Sequence, residues 1–107
     1  MGHLPTSPKE KFRAVVEVRG QELRALPFEE LRLAGSKTTE HLSIDSRDAT
    51  INIIVQSQPS GGVRVVVQGF MSTRPFRGIK RVALHGFYKY PDETMAPMPD
   101  EEFYEFD

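Results

Sequence analysis

Three histidines, His3, His41 and His85, are the first places to look for catalysis or a metal site. No pair has the i, i+4 or alternating spacing that puts two imidazoles on one side of a helix or strand. His3 belongs to residues 1–6, a terminal stretch expected to be disordered. His41 falls on the polar side of an alternating run, and His85 precedes Gly86 where it could lie on a sheet face. Each reads as a surface or hydrogen-bonded histidine. Carboxylates occur in adjacent groups, Glu29-Glu30, Asp92-Glu93 and Asp100-Glu101-Glu102. General acid–base work needs two carboxyls in environments that push their pKa values apart, and neighbours in one exposed turn share one environment. They also lack the alternate acids and bend glycine of a calcium loop. Ser43, Ser46, Ser57, Ser60 and Ser72 stand outside any G-x-S-x-G setting, and the chain has no phosphate-cradling glycine motif. No catalytic, cofactor-binding or metal-ligating residue is therefore assigned, no cofactor is expected, and the reading leans away from an enzyme.

The charge pattern is more informative. Net charge is −1 over 107 residues, yet residues 49–91 hold six bases and no acid, and residues 92–107 hold seven acids and no base. Arg74, Arg77, Lys80 and Arg81 fall within a short span around Phe76, and Arg64 and Lys89 could extend a basic patch across a sheet. Arginines that fork to phosphate beside a stacking ring suit a phosphate or single-stranded nucleic-acid ligand. Against that, Pro75-Phe76 also suits a plug on a core, and the bases could pair with the acids of the C-terminal segment. Nucleic-acid or phosphate binding is the alternative reading.

These residues must be positioned by the elements around them. Ser7-Pro8-Lys9-Glu10 has the form of a capping box with proline at the first helical position. Phe12, Val15, Val16, Leu23 and Leu26 follow on one helical face, which predicts a helix from about Pro8 to Leu26, with Gly20 a point where it could bend or break. Pro27 opens a second short helix through Phe28–Arg32. From Thr38 the apolar period changes to two: Leu42 and Ile44; Ile51, Ile53 and Val55; Val63, Val65 and Val67. Polar turns at Ser46-Arg47-Asp48 and Gln58–Gly62 separate these runs, and a fourth spans about Lys80 to Tyr90. The fold class is α+β: the two helices packed on an antiparallel meander of about four strands, with a docked C-terminal tail.

The tail, residues 92–107, sets Phe103, Tyr104 and Phe106 among acids. Three rings in four residues are rarely left in water, so the segment is expected to fold back on the body as a clasp held by its aromatics. Pro97 and Pro99 argue against regular structure across Met95–Met98, and residues after Asp100 suit either a helical turn or an edge strand. On the sheet, Ile54 and Val66 should point away from the helix, with Phe70 or Tyr88 beside them. An apolar strip of this kind is a candidate protein interface. Alanine at Val65 is expected to be costly, and at Arg64 to cost little.

Gly86-Phe87, Tyr90-Pro91-Asp92 and the run Asp100 to Phe106 resemble the C-terminal ends of small uncharacterised bacterial proteins. The resemblance implies a bacterial origin and a self-contained domain, and carries no functional residue across. With no cysteine there is no disulfide frame, and no apolar run exceeds three residues, so no membrane span or secretion leader is expected. Residues 1–107 read as one domain in a cytoplasmic setting. The expected function is a small interaction or accessory protein that binds a protein partner or itself through the exposed sheet face or an edge strand.

Overall fold

The computed structural model describes residues 7–34, 37–72 and 78–103, with the side chains of residues 100 and 103 excepted. The expectations for residues 1–6 and for Arg74, Phe76, Arg77, Tyr104 and Phe106 lie outside the described residues, as does the ring of Phe103. Helix α1 (Pro8–Ala25) starts as its sequence dictates, with Ser7 Oγ accepting the Glu10 N–H at 3.1 Å. It runs unbroken through Gly20, which is buried. Helix α2 (Phe28–Leu33) follows Pro27, which offers no side-chain cap.

Among the described residues, five strands form one antiparallel sheet in chain order: β1 (Lys37–Ile44), β2 (Arg47–Ser57), β3 (Val63–Ser72), β4 (Ile79–Lys89) and β5 (Met95–Pro97). The fifth strand corrects the expected count of four. Its proline is tolerated because of where it falls in the ladder. Tyr90 N–H donates to Thr94 O at 2.9 Å, so alternation makes Tyr88 and Ala96 the next pair that exchanges bonds. The missing N–H of Pro97 then points away from β4, and no ladder bond is lost. Residues Asp100–Phe103 form a final helical turn, α3, and the rest of the stretch expected as a turn or an edge strand lies outside the described residues.

Both helices cover one sheet face. Phe12 and Val16 of α1 pack with Ala49, Ile51, Val67 and Met71. Gly69 permits this approach: a Cβ there would stand 2.7 Å from Val16 Cγ2. A second cluster forms under α2, where Phe28 and Leu31 meet Val55, Val63, Val65 and Phe87. Leu23 and Ile53 join the two clusters. A register shift at Gly69/Phe70 leaves Val82 as the extra residue of β4, and Arg13 Nε donates to its carbonyl at 3.1 Å. Among the described residues no helix is long and apolar enough to cross a membrane.

Candidate protein-binding edge

The turn from β1 to β2 is two residues long, and both Asp45 (φ 48°) and Ser46 (φ 67°) are left-handed. That is a type I′ hairpin turn, whose right-handed twist suits the strands it joins. It makes Ile44 and Arg47 a bonded pair, so Leu42 and Glu40 also aim their backbone groups at β2. Ser43, His41 and Thr39 then aim theirs outward, at an edge that no strand among the described residues pairs. Their side chains lie on the face away from the helices, where Thr39 Oγ1 donates to Asn52 Oδ1 at 3.0 Å and His41 Nδ1 lies 3.5 Å from Thr50 Oγ1.

Beside this edge, Ala14, Val15, Val18, Arg19 and Glu22 of α1 line an open hollow of about 330 Å³. Val18 is 53% exposed. Arg19 joins hollow and edge, with Nη2 2.7 Å from Glu40 Oε1. Its Nε is buried with no hydrogen-bond partner among the described residues. An extended segment added to β1 would find backbone partners at alternate residues and an apolar hollow for side chains on the helix side.

The outer sheet face is less open than its sequence suggests. Ile54 and Phe70 are half-buried there, and Val66 has no exposed surface at all. Val66 stands opposite Gly86 in the register, and the chain after β5 crosses this part of the face. Met98 sits on Gly86, where an added Cβ would lie 2.6 Å from Met98 Sδ. Farther on, Glu102 Oε1 accepts from Arg64 Nη1 at 2.8 Å and from the Tyr88 hydroxyl. Arg64 Nε and Nη2 also hold Gln56 Oε1, at 3.0 and 2.6 Å. The Tyr88 hydroxyl and the guanidinium hold Glu102 below the usual carboxylate range, while burial, and then Glu102, pushes Tyr88 up. Two of the four residues expected to form an open interface, Val66 and Tyr88, are thus engaged within the chain. The described anchors of the clasp are Met98 and Glu102.

The bases of residues 64–89 do not form one track. Arg64 and Arg81 lie on the outer face, opposite Tyr88 and Phe70. Lys89 is only 5% exposed on the helix side, its Nζ donating to Arg24 O and Leu26 O at 2.9 and 2.6 Å. Lys80 is exposed at the start of β4. The expected extension of the patch through Arg64 and Lys89 fails because both are spent on internal partners. No group of three or more His, Cys, Asp or Glu among the described residues could hold a metal ion. No family model, curated protein or solved structure matches the chain.

Proposed function

We propose that this chain is an interaction protein that takes an extended segment of a partner, or of a second copy, onto β1. The observation that supports this reading is the conjunction at that edge. Outward backbone groups at Thr39, His41 and Ser43 lie along a strand whose flank on α1 is an apolar hollow. Lys37 and Glu40 give β1 modest protection against random pairing, and Glu40 is already paired with Arg19.

Proline at His41 tests the idea, because it removes an outward N–H and spares the ladder to β2. Wild type and H41P should agree in stability to within about 0.5 kcal/mol in denaturant melts. Sedimentation reports self-association, and capture from cell extract reports a foreign partner. An association lost with H41P and kept with an outer-face control, Ile54→Lys, is the expected outcome. Equal association by wild type and H41P, or none by either, removes the reading.

A further inference from the structure

Lys9, Arg47 and Lys80 reach one pocket from three elements: the first turn of α1, the start of β2 and the start of β4. Met71, Ser72 and Val82 complete its wall. None of the three cations makes a hydrogen bond or ion pair among the described residues. The nearby acids are otherwise disposed. Asp45 is held by Lys11 at 2.9 Å, and Asp48 alternates to the outer face beside Ser43. Lys9 is also badly placed for the helix, since a first turn disfavours positive charge. Three unpaired cations around one hollow repel one another, and no contact within the fold requires the arrangement.

An anion would reverse that balance. The pocket offers about 60 Å³, the share of roughly two water molecules, which admits one oxyanion head and leaves the body of a ligand outside. A guanidinium and two ammonium groups supply donors suited to a tetrahedral oxyanion. A polynucleotide would want a line of cations, and Arg64 and Lys89, the bases that would extend one, are bonded inside the chain. We propose that Lys9, Arg47 and Lys80 bind the terminal phosphate of a small phosphate-bearing ligand. This site is independent of β1 and would stand if the edge reading failed.

The experiment titrates the full chain with inorganic phosphate and with pyrophosphate at constant ionic strength. Melting midpoint and the backbone amide shifts of Arg47, Ser72 and Lys80 are the readouts. The midpoint should rise with either anion beyond a chloride control, with the larger response separating free phosphate from a polyphosphate end. Lys80→Gln and Arg47→Gln should each weaken the apparent affinity about tenfold or more, the loss of one charge-assisted contact. Neither should lower the midpoint without ligand, because both remove repulsion. Lys37→Gln, at the opposite end of the β1–β2 ladder from Arg47, should leave the response unchanged. The proposal is overturned by no response in the wild type, by equal responses in the pocket variants, or by equal loss with Lys37→Gln. It falls equally if a single-stranded oligonucleotide shifts these amides and neither phosphate probe does.

Discussion

Lys89 and Glu93 close the junction between the two helices from opposite sides. The Lys89 ammonium takes the carbonyls of Arg24 and Leu26 at the end of α1, while the Glu93 carboxylate accepts the Phe28 N–H at 3.1 Å, at the start of α2. The two side chains lie 3.5 Å apart. A cation thus meets the negative end of one helix and an anion the positive end of the next, which suits both dipoles. Proline at position 27 brings no cap of its own, so Glu93 supplies one from the turn between β4 and β5.

Lys89→Met keeps most of the stem and leaves those carbonyls without their donor. It should cost about 1–3 kcal/mol. Glu93→Ala removes a helix cap and should cost about 1 kcal/mol. Denaturant melts of both variants and the double variant check this, and the double should cost less than the sum, because the partners are coupled.

Val65 and Arg64 are neighbours on opposite faces. Val65→Ala leaves a hole under α2 and should cost about 1–3 kcal/mol. Arg64→Ala, read from sequence as nearly neutral, removes a 12% exposed side chain that holds both Gln56 and Glu102. The structure raises its expected cost to about 1–2 kcal/mol. Melts that place Arg64→Ala within about 0.5 kcal/mol of the wild type would mean that this network contributes little.

Gly86→Ala puts a methyl group where Met98 now lies. The thioether can swing aside, so the sheet should survive while the C-terminal segment loosens. Faster amide exchange from Met98 to Glu102 is expected, with a loss of about 1 kcal/mol. In a chain lacking residues 98–107 the same substitution should cost almost nothing, so a cost that persists there would assign the strain to the sheet itself.

The clasp should also respond to pH at both ends. Glu102 has a lowered pKa in the folded chain, so its contribution is full above the unfolded value and is lost as pH falls through the folded one. Tyr88 has a raised pKa, so its contribution is full below the unfolded value of about 10 and is lost as pH climbs through the folded one. Protection of the Glu102 amide, measured against its intrinsic exchange rate at each pH, should accordingly be greatest between those limits. Tyr88→Phe should abolish the alkaline limb and leave the part of the acid limb that Arg64 supports.

Much of the architecture was legible because it rests on local signals. The Ser7–Glu10 start, the proline at 27 and the change of period at Thr38 each act within a few residues. What escaped depended on contacts distant in sequence. Alternation placed Val66 on the outer face correctly, but nothing in its neighbours reveals that Met98 comes to rest on the adjacent Gly86. Pro97 spoke against a strand until the ladder showed its N–H position facing away. The meeting of Lys9, Arg47 and Lys80 was hidden for the same reason, since two turns and a helix decide which ends of the sheet coincide. Charge counting centres a patch on Arg74, Arg77, Lys80 and Arg81 and lets Arg64 and Lys89 extend it, because a tally of bases does not tell which are spent inside the fold.

The strictly sequential order of β1 to β5 bears on how the chain reaches this state. Each ladder joins neighbours across a short connection, so the hairpins can close early at small entropic cost. Helix α1 is the exception: its bond from Arg13 to Val82 spans 69 positions. Until it docks, a formed sheet carries Ile51, Val67 and Met71 bare to water. Substitutions that weaken only the seat of α1, such as a side chain at Gly69, should therefore prolong a sticky, sheet-bearing intermediate and show themselves as aggregation during refolding.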